Sequence, residues 1–246
     1  MTLPGNLHIG TSGWHYPHWR QHYYPPDLAA DEWLAWYARE FDCVEVNNSF
    51  YRLPQANTIA SWRDATPAGF QFAVKASRLI THLKKLRQCD QALQNFLTRM
   101  AHFGVKLGPI LFQLPPRWHV NAERLEAFVR LLPGHLRYSF EFRDPSWHCP
   151  AVYRILEDHD IAFCLYQLAG RTSPEVVTAK WLYIRLHGPA EKAYCGSYTR
   201  EALQEWADKI HHWRVEGREV YVFFDNDQFA YAPRNAATLK HLSHAW

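Results

Sequence analysis

The sequence predicts an α/β fold: a closed eight-stranded parallel (β/α) barrel of the TIM type, one domain over residues 1–246. Three observations predict it. Short apolar runs rich in β-branched and aromatic residues alternate with segments of helical spacing, the pattern of parallel strands covered by helices. Eight such units fit within 246 residues, an ordinary length for one barrel. An open nucleotide-binding sheet would offer a Gly-x-Gly-x-x-Gly turn or a Walker-type loop, and the sequence contains neither.

The first strand is Leu7-His8-Ile9-Gly10, and a helix over 31–41 follows, with Trp33, Leu34, Trp36, Tyr37 and Phe41 on a wide apolar face. Cys43-Val44-Glu45-Val46-Asn47 is the second strand, and a helix over 56–65 is closed by Thr66-Pro67. The third strand, Phe70-Gln71-Phe72-Ala73-Val74-Lys75, leads to a helix over 90–103 with stripe Leu93, Phe96, Leu97 and Met100 and Gly104 at its end. Ile110-Leu111-Phe112-Gln113 precedes a helix over 121–131 stopped by Pro133-Gly134. Tyr138-Ser139-Phe140-Glu141-Phe142-Arg143 precedes a helix over 150–158 that opens on a proline, which a first turn tolerates. The sixth unit is the weakest: Ile161-Ala162-Phe163-Cys164-Leu165, then a polar loop with no clear helix. Trp181-Leu182-Tyr183-Ile184-Arg185-Leu186-His187 precedes a helix over 199–213 with stripe Leu203, Trp206, Ile210 and Trp213. The last strand runs to Phe224-Asp225-Asn226-Asp227, and a helix over 233–242 ends the series.

Composition narrows the function classes. A formal charge of +3 with fifteen histidines is far from the basic footprint of a dedicated nucleic-acid domain, yet admits an anionic ligand. No stretch approaches the roughly 20 apolar residues that span a bilayer, and residues 1–6 lack a basic segment followed by an apolar one, so the expectation is a cytoplasmic protein with no membrane partner. Five cysteines with no Cys-x-x-Cys pair suggest neither a disulfide framework nor a thiolate zinc site.

Strand parity separates the helix-facing side chains from the opposite set. Where the bulky apolar residues pack on helices, Glu45, Lys75, Gln113, Glu141, Arg143, Arg185 and His187 share the inward face, at strand ends that gather polar groups. Buried charges cost several kcal/mol per ion unless paired, solvated or used. Their signs nearly cancel, which admits a structural ion-pair network in a metabolite-binding barrel as well as a functional mouth. Three cations in the set argue against a metal, and no His-x-x-x-His or Glu-x-x-His helix spacing occurs among the strand-end residues. Pro17 interrupts the spacing of His15, His18 and His22, which belong to an aromatic loop. Within it Gly10-Thr11-Ser12-Gly13-Trp14 lets backbone N–H groups approach an anion and a Trp stack on a sugar or base, unless Trp14 and Trp19 are core plugs; Trp147 has the same two readings. No Gly-x-Ser-x-Gly elbow signals acyl chemistry, and no cofactor is implied.

At these residues the chain resembles the domain of unknown function 72 family, also called YecE-like. The matching stretches are Gly10-Thr11-Ser12-Gly13-Trp14 with Tyr16 and Trp19, Tyr23-Tyr24-Pro25, Val44-Glu45-Val46-Asn47-Asn48-Ser49-Phe50-Tyr51 and Ile80-Thr81-His82. Further on come Leu107-Gly108-Pro109 with Gln113-Leu114-Pro115-Pro116, Glu141-Phe142-Arg143 with Ser146-Trp147, Tyr183-Ile184-Arg185-Leu186-His187-Gly188, Tyr194 with Gly196 and Tyr198, and Asp225-Asn226-Asp227. The resemblance implies a TIM-type barrel and supplies no agreed reaction. Two departures stand out. Many members have an Asp after the sixth strand where this chain reads Leu165-Tyr166-Gln167-Leu168, so no carboxylate role carries over there, and Asp225 stands where an Asn is frequent.

The residues and the resemblance together give a candidate site with Glu45, Glu141, His187 and Asp227 as catalytic groups. Ser12, Trp14, Asn47, Tyr51, Lys75, His82, Gln113, Arg143, Trp147, Arg185, Tyr198 and Asn226 bind substrate, with no metal. Glu45 or Glu141 is the expected acid or base, Arg143, Arg185 and Lys75 hold a phosphate or carboxylate, His187 shuttles protons, and Gln113, Asn47 and Asn226 orient hydroxyls. The expected partner is a small polar, anionic or polyhydroxylated ligand. Metal-independent hydrolysis of a glycosidic or phosphoester bond fits, as does isomerisation. The rival is a nucleic-acid binder with little or no catalysis, stacking bases on the first loop and setting Lys84, Lys85 and Arg87 on phosphates.

Overall fold

The computed structural model describes residues 3–243. Nine strands, β1 Leu7–Thr11, β2 Cys43–Val46, β3 Gln71–Lys75, β4 Leu107–Gln113, β5 Tyr138–Glu141, β6 Ala162–Leu168, β7 Arg171–Thr172, β8 Trp181–Leu186 and β9 Glu219–Phe224, take the order β1-β9-β8-β6-β5-β4-β3-β2, with β7 on β6. Apart from β7, the strands follow one another in sequence order from β2 to β9, as in the (β/α) barrel class, and β9 pairs back with β1. The chain divides into two compact units.

Of the described residues, the first unit holds 3–45, 165–173 and 181–243. In it β1 pairs parallel with β9 from Leu7↔Val220 to Thr11↔Phe224, and β9 pairs parallel with β8. Helix α1, Trp33–Tyr37, is only five residues long, preceded by a 3-10 turn over Ala30–Glu32, where the apolar spacing predicts a helix over 31–41. Its last residue explains how β1 meets β2. The Tyr37 hydroxyl accepts from Thr11 N at 2.8 Å and donates to Cys43 O at 3.0 Å, so a side chain stands in for the ladder. One bridge, Ser12↔Glu45, joins these edges among the described residues. The closed ring expected from sequence thus has a seam at β1/β2. Gly10 sits at it, where a Cβ would fall 2.2 Å from Cys43 O.

The polar loop expected after the sixth apolar run is a hairpin. β6 extends to Leu168 and pairs antiparallel with β7, because Ala169 and Gly170 both take left-handed φ, 50° and 70°, as a two-residue turn of this kind needs. Two longer helices complete the unit, α7 Arg200–Val215 and α8 Tyr231–Ser243. The Thr199 side chain caps α7 by accepting from Ala202 N, and Leu203, Trp206, Ala207, Ile210 and Trp213 form its buried stripe.

The second unit holds residues 46–164 and 174–180. There β3, β4 and β5 pair parallel in sequence order, and β5 pairs with the start of β6 through Ser139↔Ala162. Its helices are α2 Asn48–Tyr51, α3 Ala56–Asp64, α4 Asp90–Met100, α5 Ala122–Val129 and α6 Pro150–Asp158. Helix α4 stops at Met100 and passes into a 3-10 segment, broken at Gly104 with φ 58°. A π-helical turn, Leu79–Leu83, carries Thr81 and His82. Apolar faces pack as ring stacks: Phe112 on Phe140, Phe140 on Phe142, Phe142 on Trp147.

Candidate functional site

In the first unit the site grows from one strand. Along β8, Leu182, Ile184 and Leu186 alternate with Tyr183, Arg185 and then His187, and all six are buried. Arg185 meets Glu45 as a fork, Nε 2.9 Å from Oε2 and Nη2 2.7 Å from Oε1. Tyr183 donates to Oε2 at 2.6 Å and Ser12 donates to Oε1 at 2.8 Å. Each Glu45 oxygen therefore accepts two hydrogen bonds, the full complement of a carboxylate, which is how a charge with 0% exposure is sustained.

The network continues from the guanidinium. Nη2 lies 3.2 Å from Asp225 Oδ2, and Nη1 lies 3.3 Å from His187 Nε2. A guanidinium only donates, so His187 Nε2 accepts and the imidazole proton sits on Nδ1, 2.9 Å from Asp225 Oδ2. Both ring nitrogens of His187 are thereby engaged. Asp225 has both Arg185 and His187 as donors.

Asp227 lives in a different environment. Burial and the nearby Asp225 charge raise its pKa above the usual carboxylate value, against a smaller opposing pull from His18. His18 Nε2 stands 3.3 Å from its Oδ2, and the Asp227 carbonyl accepts from Trp19 Nε1 at 3.0 Å. Tyr16, in the same aromatic loop, donates to Ser12 O at 2.6 Å. Its phenol is pushed up by burial and then by the charges of Asp225, Asp227 and Glu45.

Between the two aspartates, Asn226 is fully buried and donates through Nδ2 to Gly196 O and Asn235 Oδ1, both at 2.8 Å. Its Oδ1 has no partner among the described residues. Asn235 Oδ1 also accepts from Tyr198 N, and the Tyr198 hydroxyl accepts from Gly188 N. These bonds anchor the 188–198 loop, whose Tyr194 ring meets His187 edge-on at 5.4 Å. Just beyond the aspartates, Phe229 and Ala230 both hold left-handed φ, 53° and 55°. Strain of this sort costs on the order of 1–3 kcal/mol per residue and concentrates at functional segments.

The second unit contains the other predicted residues except Trp14. Glu141 is fully buried and accepts from Arg143 Nε. Gln113 is buried and donates to Leu114 O. Lys75 Nζ lies 4.4 Å from the Phe50 ring centre, and Phe50 meets His82 edge-on at 4.9 Å. Burial, followed by the charges of Lys75, Arg78 and Arg143, lowers the His82 pKa to about 4. Asn47 precedes α2 with a buried Oδ1 that has no partner among the described residues, and Tyr51 is 74% exposed. Trp147 is wholly buried, donating through Nε1 to Trp118 O; Trp14, which belongs to the first unit, is 6% exposed. Lys84 donates to Gln88 O, and Lys85 lies over Trp118.

Tyr183, Asp225, Tyr16 and His18 stand outside the set of site residues expected from sequence. Tyr183 has the parity of Arg185 and His187, so the signal existed; as an aromatic in an apolar run it reads as core. His18 reaches Asp227 from a loop far away in sequence, and Tyr16 bonds Ser12 O within that loop, contacts that strand parity does not report.

Fold and site together define an α/β barrel protein of the TIM class with a buried polar network on β8. Residues 8–245 match the family described as "Protein of unknown function DUF72", and the chain belongs to it. It is 29% identical over 270 aligned positions to the UPF0759 protein YecE of Escherichia coli strain K12, covering 95% of this chain and 91% of that protein. The crystal structure of a DUF72 family protein from Thermotoga maritima matches with TM-score 0.82 and 25% identity over 97% of this chain and 99% of the other. D-Psicose 3-epimerase from Clostridium cellulolyticum H10 matches with TM-score 0.61 at 9% identity, over 97% and 98%, a likeness of fold alone. Among the described residues no helix is long and apolar enough to cross a membrane.

Proposed function

We propose that the protein is an enzyme acting by acid–base chemistry on a polar, polyhydroxylated or anionic small molecule, with Asp225 and Asp227 as its carboxylate pair. The observation that carries this reading is their unlike environments. Asp225 is hydrogen-bonded to Arg185 and His187, which favours its anion, whereas burial and Asp225 itself favour the protonated form of Asp227. Two carboxyls pushed apart in this way divide the acid and base roles. Asp227 is the acid and retains 30% side-chain exposure, so substrate can reach it. Glu45 and His187 act as positioning residues, since their acceptor sites are engaged within the network. Asn226 Oδ1 supplies an unused acceptor for a substrate hydroxyl.

Hydrolysis of a glycosidic or phosphoester bond, or isomerisation of a sugar, fits this acid–base pair. The test is incubation with chromogenic aryl glycosides, aryl phosphates and free or phosphorylated aldoses and ketoses, followed by absorbance and proton NMR. Wild type is expected to turn over one of these classes, and Asp227→Asn to lower kcat by about 10²- to 10⁴-fold while the fold is kept. Turnover by Asp227→Asn at the wild-type rate, or none by wild type on any of these classes, would count against the reading.

A further inference from the structure

We propose that Lys75, Arg78, Arg143 and His82 form a binding site for an oxyanion, the phosphate group of a small phosphorylated molecule. The site lies wholly in the second unit and stands independently of the acid–base reading.

Three features of geometry support it. Lys75 is held in place: its ammonium rests on the face of Phe50, and its carbonyl accepts from Ser49 Oγ at 2.7 Å, which ties α2 to the end of β3. His82 is pinned through Nδ1, 2.9 Å from Thr81 Oγ1, and edge-on to Phe50. Its Nε2 has no partner among the described residues and is left to meet a ligand. His82 also sits in a π-helical turn, an uncommon local geometry that recurs at functional sites.

The electrostatics point the same way. The charged groups bearing on His82 are Lys75 at the end of β3, Arg78 at the start of the π-helical turn and Arg143 after β5, and all are cations. Glu141, bonded to Arg143, brings one carboxylate against those three charges. Arg78 is exposed and makes no hydrogen bond or ion pair among the described residues. Three cations acting on a half-buried imidazole suit a doubly charged oxyanion, and a phosphate monoester carries about −1.5 to −2 near pH 7.

The same chemistry could be met by a dicarboxylate, so the experiment uses both. Histidine side-chain NMR of the full chain is followed during titration with inorganic phosphate, with malonate, and with potassium chloride at matched ionic strength. Phosphate is expected to shift His82 saturably and to raise its pKa from about 4, because an anion stabilises the imidazolium. Arg78→Gln and Lys75→Gln are each expected to weaken phosphate binding about tenfold. Arg78 is exposed, so its replacement leaves the fold intact. A shift that follows ionic strength alone, or one unchanged in Arg78→Gln and Lys75→Gln, would overturn the site. Malonate binding more tightly than phosphate would overturn the phosphate assignment. Neither outcome bears on turnover by Asp227.

Discussion

Arg185 and Glu45 face each other with two parallel hydrogen bonds, 2.9 and 2.7 Å long, at 1% and 0% side-chain exposure. A fork of this kind fixes both planes at once. It holds Arg185 of β8 against Glu45 within the first unit, and through Arg185 it sets the place of His187 and Asp225.

Removing one member of such a pair leaves the other charged and buried. Glu45→Ala is therefore expected to destabilise the protein by about 3–5 kcal/mol. The double replacement Glu45→Met with Arg185→Met is expected to recover part of that loss, because it removes both charges. Urea denaturation of wild type and the two variants checks this: a double variant less stable than Glu45→Ala would show that the pair is not what the loss measures.

Asp227 makes stability depend on pH with a definite sign. Its folded pKa lies above the ordinary value of 3.8, so between those two values the folded state binds more protons than the unfolded one. Stability associated with this group is full below about pH 3.8 and falls as pH rises through the folded pKa. Asp227→Asn is expected to be relatively more stable at pH 7 than at pH 3, compared with wild type. Midpoints of urea unfolding at the two pH values give the comparison, and a parallel shift at both would refute it.

His8, at the start of β1, works in the opposite sense to most buried imidazoles. Burial disfavours its charge, but hydrogen bonds and the fields of Asp42 and Glu219, each with an oxygen 3.0 Å away, prevail and hold its pKa up to about 9. The folded pKa exceeds the unfolded value of 6.5, so the stabilisation is complete below about pH 6.5 and is lost as pH rises through 9. Discounted for the exposure of Asp42, it amounts to roughly 2 kcal/mol. His8→Gln is expected to be less stable than wild type at pH 6 and nearly equal at pH 10, read by thermal unfolding at each pH.

These features were unequally legible in the sequence. The alternation of strands and helices fixed the fold class, and parity marked Arg185, His187 and Glu45 because charged residues inside apolar runs stand out. Asp225 escaped because the family resemblance favours Asn at its position, although it is the residue that orients His187. Trp147 and Trp14 each allowed a stacking or a core reading from sequence; burial and the Trp147 bond to Trp118 O became visible only with the chain folded. Helix ends were blurred wherever a 3-10 turn continued the apolar spacing, as before Trp33 and after Met100.

Tyr37 gives the seam between β1 and β2 its own test. Its hydroxyl, fully buried, is the partner of both Thr11 N and Cys43 O, so Tyr37→Phe removes one oxygen and strands a donor and an acceptor together. An unsatisfied buried group costs about 1–3 kcal/mol, while the ring, which packs on Phe41 at 4.8 Å, is retained. Global stability is expected to fall by that amount. The more specific readout is local: amide hydrogen exchange at Thr11 should accelerate by roughly tenfold or more, and the amides of β9 opposite, bonded in a regular ladder from Leu7↔Val220 to Thr11↔Phe224, should change only with the global loss. Equal acceleration at Thr11 and along β9 would mean that the hydroxyl supports the sheet as a whole, and that the seam has no separate stability of its own.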